Sequence, residues 1–384
     1  MLRPRHCPAV VKWCHFDHVG DGGGAGAAWP SSSRLMSGVA APSSVAGALL
    51  GLAAGDVLGS GLEGLSRQQA RRTVGDRLMT PLPGSCYTDD TQQAMVLAYH
   101  LLGHDRIDPE RLARELLALA RPLEHFGVYR GYGPGFRAFV EHLAAGSSYR
   151  EAAQPSAGNG AAMRVAPVAM RFFPDRDRLT TEALVAATVT HADRRGVAAA
   201  CAMAVAVAAA AAGERGRDLV YASAEAAAQA ERRLSSEPGL RGAADESRDA
   251  LSNALLEASP LVGEPPDRVA DRVGERAASS SATGSQSGTA PYALASVVTS
   301  IVLAARPDDE PFEPMRRAVA LGGDTDTVGA MTGAIIGARL GIVEWPWEIP
   351  NAALFAEVGR RLVEGGDAEE LPDLYQVEAA VCSR

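Results

Sequence analysis

Cysteine, aromatic residues and β-strand patterns are all scarce in this sequence of 384 residues. The five cysteines are widely spaced and include no C-x-x-C pair, which argues against a disulfide framework and favours reduced thiols in a cytoplasmic setting. Aromatic residues make up only 5%, and no segment alternates apolar and polar residues between hairpin turns. A small secreted disulfide scaffold and a β-sheet protein are therefore both disfavoured.

The chain also lacks an excess of basic residues. Its net charge of −9 repels nucleic acid and anionic membrane surfaces on average, although a local site built from metals or helix N-termini can still bind an anion. The longest apolar run, Val197–Ala212, is short for a bilayer crossing and rich in alanine, so we interpret it as a buried core helix. Neither a membrane nor a nucleic-acid partner is expected.

Alanine is abundant in a chain that is 47% hydrophobic, a composition that suits close-packed helices better than sheets. Apolar residues recur at helical spacing in many segments, and the fold class is predicted to be all-α, a compact multi-helix domain. The predicted helices are Val45–Leu58, Thr91–Leu102, Pro109–Ala120, Ala161–Phe172, Thr181–Thr190, Val197–Ala212, Tyr292–Ala305, Pro314–Leu321, Val328–Leu340 and Ala352–Glu364.

Composition separates an N-terminal extension from one large domain, and it sets apart an insertion within that domain. Residues 1–43 show no lasting period and are predicted to form a disordered N-terminal extension, with a start at Met36 or a small zinc site within His6–His18 as alternatives. Residues 44–375 are predicted to form one helical domain. Within it, residues 235–289 are rich in Pro, Ser and Gly and are predicted to be a flexible insertion that carries two short helices.

Two short acidic segments stand at the starts of predicted helices. Thr88–Thr91 precedes one apolar run and Asp324–Thr327 precedes another, and each offers two carboxylates and two hydroxyls. Either segment alone is adequately explained as a helix cap, because Thr and Asp satisfy free backbone N–H groups and acids suit the positive end of the helix dipole.

As a pair, the two segments favour a metal site over capping. One cap needs one side chain, whereas each segment offers four. If both helices point at one place, the four aspartates cannot all stay ionised unless cations lie among them. Oxygen-only ligands favour hard ions such as Mg²⁺, Mn²⁺ or Ca²⁺, and two such ions about 4 Å apart would form a hydrolytic centre.

Five blocks of the sequence, in a fixed order over most of residues 45–345, carry a resemblance to a known family. The blocks are Gly47–Asp56 with its continuation Gly59–Glu63, Thr88–Thr91, Gly158–Arg164, Thr190–Asp193 and Gly322–Thr327. On these blocks the chain resembles the ADP-ribosylglycohydrolase family, which includes the dinitrogenase reductase-activating glycohydrolases and the ADP-ribosyl-acceptor hydrolases. Each block alone is modestly specific, whereas the ordered set is strongly so.

The resemblance implies an all-α domain with a central dinuclear site for two divalent cations, Mg²⁺ or Mn²⁺. It implies a hydrolase that cleaves the glycosidic bond between ADP-ribose and a serine or arginine side chain, with an ADP-ribosylated protein as its partner, and it favours a monomer. The implied metal ligands are Thr88, Asp89, Asp90, Asp324, Asp326 and Thr327, with Asp326 as the candidate bridge between the ions.

The resemblance also implies roles around the metals. Glu63 would lie close to them as general base or acid, and Asp90 and Asp326 complete the implied catalytic set. A helix–helix loop, a turn and a helix cap are the ordinary structural explanations for the remaining positions. The implied ligand-binding residues are Gly131, Gly133 and Gly135 in a diphosphate loop, then Gly158, Asn159, Gly160, Met163 and His191 along the ADP-ribose.

The residue that would stack on the adenine is not evident. Some relatives carry an aromatic residue for this contact at the position where this chain has Ala157. The nearby aromatic candidates are Phe126, Tyr129, Tyr132 and Tyr149.

Three other functions compete with the hydrolase. The chain could bind ADP-ribose without turnover, or it could hydrolyse another conjugate such as O-acetyl-ADP-ribose or an ADP-ribosylated nucleic-acid end. The third is a structural helical protein with two coincidental acidic caps.

Overall fold

A computed structural model describes residues 42–75, 80–125, 131–235, 240, 250–279, 287–307 and 310–382. The predicted N-terminal extension lies outside these residues up to position 41, and so does part of the predicted insertion, at 236–239, 241–249 and 280–286. The domain boundaries proposed from the sequence therefore stay a prediction.

The described residues form an all-α fold, which confirms the predicted class. In this part of the chain β pairing is limited to one isolated bridge, between Gln154 and His191. The helices are α1 (Ala48–Ser60), α2 (Arg67–Val74), α3 (Asp89–Gly103), α4 (Pro109–His125), α5 (Pro134–Ala144), α6 (Tyr149–Ala152), α7 (Gly160–Met163), α8 (Ala166–Phe172), α9 (Arg176–Thr188), α10 (Arg194–Ala211), α11 (Gly216–Leu234), α12 (Ala250–Ala258), α13 (Pro266–Ala278), α14 (Ala293–Ala304), α15 (Glu313–Val319), α16 (Thr325–Leu340), α17 (Ala352–Glu364) and α18 (Leu374–Cys382).

The helix predicted over Ala161–Phe172 is wrong as a single element, because the structure divides it into α7 and α8. Pro167 lies in the first turn of α8, where its missing N–H costs nothing. In the interior of a longer helix the same ring would clash with the preceding turn and remove a hydrogen bond. The proline therefore starts a helix instead of lying inside one.

Helix α10 is the predicted core helix. Among the described residues, it is the one helix long and apolar enough to cross a membrane, but 89% of the relevant window is buried inside the protein. Its residues from Val197 to Ala211 are almost completely inaccessible, and most of them are alanine. Small side chains let neighbouring helices approach closely, so α10 forms part of the core.

Helices α1 and α16 pack against each other through facing glycines. A Cβ atom on Gly55 would lie 1.9 Å from the carbonyl oxygen of Gly329, and one on Gly333 would lie 2.1 Å from that of Gly51. The helices run antiparallel, because Gly59, near the end of α1, faces Thr325 at the start of α16, and the Thr325 hydroxyl donates to the Gly59 carbonyl at 2.9 Å. This contact brings the end of α1 beside the acidic start of α16.

Candidate metal centre

Two glycines set the position at which α16 begins. Gly322 and Gly323 have φ angles of +71° and +82°, in the left-handed region that favours glycine. The Gly323 N–H donates to the Leu65 carbonyl at 2.8 Å, and its carbonyl accepts from the Gly64 N–H at 2.9 Å. These bonds hold the turn before Asp324 against the loop that carries Glu63.

Asp56, on α1, anchors the other acidic segment, Thr88–Thr91, through hydrogen bonds. This carboxylate is fully buried and accepts the Thr88 N–H with both oxygens at 2.9 Å. It also accepts the Thr91 N–H at 3.1 Å and the Thr91 hydroxyl at 2.6 Å. Burial raises the pKa of Asp56 to about 6, although the hydrogen bonds from Thr91 and Thr88 oppose the rise. Asp56 thus fixes the conformation of Thr88–Thr91.

The two acidic helix starts meet at Asp90. Its Oδ2 atom accepts the Thr88 hydroxyl at 3.2 Å and the Thr327 hydroxyl, from the other segment, also at 3.2 Å. The Thr327–Asp90 contact joins residues that are 237 positions apart in the sequence. The structure therefore brings together the two segments, and their meeting was the condition for predicting a metal site instead of two helix caps.

The aspartates form a buried cluster of like charges. Burial raises the pKa of Asp90 well above its ordinary value, and the charges of Asp326 and Asp56 raise it further. Burial also raises the pKa of Asp89 and of Asp326, and neighbouring carboxylates add to both shifts. For Asp324, burial raises the pKa while the hydrogen bond from Asn159 opposes the rise. A group of this kind needs positive charge to be stable when ionised.

The donor atoms fit hard divalent cations. Carboxylate oxygens of Glu63, Asp324 and Asp326 lie within 4.8 Å of one another. The Oδ1 atom of Asp90 is buried and has no hydrogen-bond partner, so an acceptor inside the cluster is left for a cation. All of these donors are oxygens, the ligand type that Mg²⁺ and Mn²⁺ prefer.

Glu63 lies at the open side of the cluster, in the turn after α1. Its side chain is more exposed than those of the aspartates and only partly shielded from solvent. Partial burial and then the negative charge of Asp324 raise the pKa of Glu63. A carboxyl group with a raised pKa beside a metal site is suited to accept and return a proton.

A second group of potential metal ligands lies at the end of α3, where His100, His104 and Glu115 offer atoms within 4.8 Å of one another. The Nδ1 atom of His100 hydrogen-bonds to Glu115 at 2.8 Å, and its Nε2 accepts the Asp108 N–H at 3.1 Å. Because both ring nitrogens of this buried histidine already have partners, His100 is explained as an anchor between α3 and α4.

The predicted diphosphate loop, Gly131–Gly135, approaches the acidic segment Thr88–Thr91 from the side of α5. Gly131 has a φ of +92°, and a Cβ atom there would lie 3.2 Å from the Asp89 Oδ1 atom. Gly133 is the N-cap residue of α5, whereas Gly135 lies within the first turn. The predicted loop therefore ends at Gly133, because Pro134 starts a helix at this point.

Asn159 contacts the carboxylate cluster directly. Its amide nitrogen donates to Asp324 Oδ2 at 2.6 Å and to the Ser296 hydroxyl at 3.0 Å. Gly158 precedes it and Gly160 begins α7, which also contains the buried Met163. The amide group thus orients Asp324, which the sequence alone does not indicate.

His191 lies beside the same turn. A Cβ atom on Gly160 would be 3.5 Å from its Cε1 atom, so the ring touches the turn closely. Its Nδ1 atom shares a hydrogen bond with the Thr190 hydroxyl at 2.8 Å. Burial, together with the charge of Arg164, lowers the pKa of His191 to about 3, so the ring is neutral near pH 7.

Arg164 and Gln93 connect this region to Asp89, although the sequence suggests no role for either residue. The buried Arg164 guanidinium donates to Gln93 Oε1 at 2.7 Å and to the Thr190 hydroxyl at 2.6 Å. The Gln93 amide in turn donates to Asp89 Oδ2 at 2.7 Å. Burial lowers the pKa of Arg164 to about 10, while the charge of Asp89 opposes the shift. This chain of hydrogen bonds orients the Asp89 carboxylate.

The aromatic candidates for adenine stacking receive little support. Tyr132 and Tyr149 are both buried, and the Tyr132 ring packs against Phe136 with centroids 5.0 Å apart. Phe126 and Tyr129 lie outside the described residues.

Comparisons with known proteins point to one family. The sequence model of a family described as ADP-ribosylglycohydrolase matches residues 39–382. ADP-ribosylhydrolase ARH3 of Bos taurus is 31% identical over 359 residues, which cover 84% of this chain and 89% of that protein. An uncharacterized protein of Archaeoglobus fulgidus is 34% identical over 158 residues, 40% of this chain and only 50% of that protein. A solved chain, from an ADP-ribosylglycohydrolase-related protein complex, superposes with a TM-score of 0.56 at 27% identity, covering 84% of this chain and 98% of that one.

Proposed function

The chain belongs to the ADP-ribosylglycohydrolase family, and on that premise we propose that it is a metal-dependent hydrolase that cleaves the glycosidic bond between ADP-ribose and a serine or arginine side chain. This reaction reverses mono-ADP-ribosylation of a protein. We further propose that it acts in the cytoplasm as a monomer.

The contact between Thr327 and Asp90 is the observation that carries the proposal. Helix caps need no partner, and two coincidental caps would have no reason to share a hydrogen bond across the fold. Their meeting in a buried carboxylate cluster is the arrangement that a binding site for divalent cations requires.

Six residues of the two segments would hold two divalent cations, Mg²⁺ or Mn²⁺, and they are Thr88, Asp89, Asp90, Asp324, Asp326 and Thr327. When bound, such ions supply Lewis acidity and lower the pKa of bound water. The two threonine hydroxyls donate to Asp90, so their oxygen lone pairs remain free to face a cation.

Glu63 is proposed as the group that exchanges the proton. It lies beside Asp324 and Asp326 on the open side of the cluster, where water and the acceptor side chain can enter. Its raised pKa suits either direction of transfer: from the attacking water, or to the leaving oxygen or nitrogen of the acceptor. Asp90 and Asp326, on the buried side of the cluster, would orient the attacking water and the glycosidic bond through the cations that they hold.

The rest of the ADP-ribose would lie along the glycines and His191. Gly131 approaches Asp89 closely enough that a larger residue would intrude on the cluster, so its backbone can line the site. We propose that Gly131, Gly133 and Gly135 face the diphosphate, and that Gly158–Gly160, Met163 and the neutral His191 position the ribose.

The direct test is ADP-ribose release from two peptides, one modified on serine and one on arginine. Each peptide is incubated with the full chain in Mg²⁺, in Mn²⁺ and in chelator. We expect metal-dependent release from one peptide and none in chelator, because the carboxylate cluster needs cations to organise the reaction.

The same assay, extended to O-acetyl-ADP-ribose and a modified nucleic-acid end and paired with a titration of ADP-ribose, separates the competing functions. No release from either peptide, with ADP-ribose still bound tightly in a calorimetric titration, would replace the hydrolase with a binding module. Release only from O-acetyl-ADP-ribose or from a modified nucleic-acid end would change the substrate class. Release that persists unchanged in chelator would contradict the metal-dependent proposal.

A further inference from the structure

A buried carboxylate on α18 contacts both flanks of the segment Thr88–Thr91. Glu378 is fully buried and accepts the Tyr87 hydroxyl at 2.9 Å with Oε1. Its other oxygen, Oε2, accepts the Gln92 side-chain amide at 2.6 Å. Tyr87 immediately precedes the segment and Gln92 immediately follows it. One carboxylate group therefore accepts hydrogen bonds from the residues that flank the proposed metal ligands, Tyr87 and Gln92.

Tyr87 is itself held in place. Its side chain is fully buried, and its ring packs edge-on against Phe355 with centroids 5.4 Å apart. The Asn351 amide donates to the Tyr87 hydroxyl at 3.0 Å. The hydroxyl group has thus accepted one hydrogen bond and directs its own proton to Glu378, which leaves the tyrosine little freedom to move.

We propose that Glu378 is a positioning residue for the metal-binding segment, an inference that rests on the proposed function. Asp56 fixes Thr88 and Thr91 from inside, through their backbone and hydroxyl groups. Glu378, on the C-terminal helix α18, fixes the flanking residues Tyr87 and Gln92 through their side chains. Between them the two carboxylates determine where the first turn of α3 presents its ligands.

Loss of Glu378 would leave two buried donors without their acceptor. The Tyr87 hydroxyl and the Gln92 amide would have to find new partners, and the segment between them would shift or gain mobility. Residues that orient metal ligands in this way typically change metal affinity 10- to 100-fold when they are lost. We therefore expect Glu378→Ala to weaken Mn²⁺ binding by about 10- to 100-fold, and Glu378→Gln, which keeps one acceptor oxygen, to weaken it less.

Glu231 offers a matched control. It is a buried glutamate on α11 that accepts the Leu251 N–H at 3.0 Å and the Ser252 hydroxyl at 2.7 Å. These hydrogen bonds join α11 to α12, away from the segment Thr88–Thr91 in the sequence and in the helix order. Glu231→Ala should therefore lower the melting temperature as Glu378→Ala does and leave the Mn²⁺ affinity near that of the wild type.

Two measurements on the full chain test the inference. Calorimetric titration with Mn²⁺ gives the affinity of the wild type, of both Glu378 variants and of Glu231→Ala. Hydrogen exchange of the amides at 88–92 in chelator gives the order of the segment without any metal. We expect weaker binding and faster exchange at these amides in Glu378→Ala, a smaller change in Glu378→Gln, and neither change in Glu231→Ala.

Each outcome separates the two proposals. Wild-type Mn²⁺ affinity in Glu378→Ala, or an equal loss in Glu231→Ala, would overturn the positioning role and leave the proposed function intact. If the wild type binds neither Mn²⁺ nor Mg²⁺ in the same titration, the proposed function fails. Hydrogen exchange then tests the role of Glu378 by itself, because unchanged exchange at residues 88–92 in Glu378→Ala would refute its effect on the order of the segment.

Discussion

Replacing Asp326 with asparagine is expected to lower the rate of ADP-ribose release by about a thousand-fold or more, since metal chemistry contributes several kcal/mol and each ~1.4 kcal/mol is tenfold in rate. Asp326 lies in the first turn of α16, with its carboxylate within 4.8 Å of Glu63 and Asp324. Asparagine keeps the size of the side chain and removes its negative charge. The affinity for both cations should fall together with the rate.

The same variant should fold. In chelator, wild-type Asp326 is an ionisable group whose pKa is raised by burial and by the charges of Asp324 and Glu63, so its ionised form is costly near pH 7. Removing that charge should leave the melting temperature in chelator equal to or above that of the wild type. Mn²⁺ should raise the melting temperature of the wild type strongly and that of the variant little.

Asp177 supplies the matched control for this prediction. It is an aspartate in the first turn of α9 with an exposed side chain, so Asp177→Asn makes the same chemical change at the same position of a helix. We expect unchanged turnover and at most a small change in stability, because helix-dipole effects at exposed sites are about 0.3–1 kcal/mol. Near-normal turnover in Asp326→Asn would eliminate the mechanism in which this residue holds the cations.

Local signals in the sequence were sufficient for the fold class and for the two acidic helix starts. Periodic apolar residues and capping residues act within a few positions, so Thr88–Thr91 and Asp324–Thr327 could be placed at helix N-termini from the sequence alone. Helix α11 was missed although its 19 residues carry an amphipathic period, with Leu219, Ala227 and Leu234 among the residues of its buried face.

The residues that orient the site depend on contacts far apart in the sequence and could not be predicted in the same way. Glu378 and Tyr87 are 291 positions apart, and Asn159 and Asp324 are 165 apart. Asp56 did leave a signal, since a carboxylate stands inside the apolar run Ala48–Leu58 and a buried charge needs donors. The sequence could not identify those donors as Thr88 and Thr91.

The glycine repeat from Gly47 to Gly59 is equally visible in the sequence, but its partner is not. Glycines at every fourth position lie on one face of a helix, which permits close approach of another backbone. Only the structure identifies the partner as the matching face of α16. The site lies at the end of this helix pair, so the separation of α1 and α16 also sets the separation of Asp56 and Asp326.

Gly55→Ala is therefore expected to be among the most damaging substitutions of a single methyl group in the chain. The added Cβ atom would lie 1.9 Å from the Gly329 carbonyl oxygen, which belongs to the backbone and cannot rotate away. The two helices would have to separate, at a cost of about 3 kcal/mol, the upper end of the usual range for overpacking. Urea unfolding should show this loss of stability in chelator as well as in Mn²⁺.

The separation should also impair function in the molecules that remain folded. Thr325 would move away from Gly59, and Asp326 with it, so folded Gly55→Ala should bind Mn²⁺ more weakly than the wild type. Gly103→Ala is the control, because Gly103 ends α3 with nothing within 4 Å of an added Cβ atom, and alanine there should cost no stability. If Gly55→Ala proved as stable and as Mn²⁺-competent as Gly103→Ala, the helix pair could relax without moving the site, and close glycine packing would not be what positions the metal ligands.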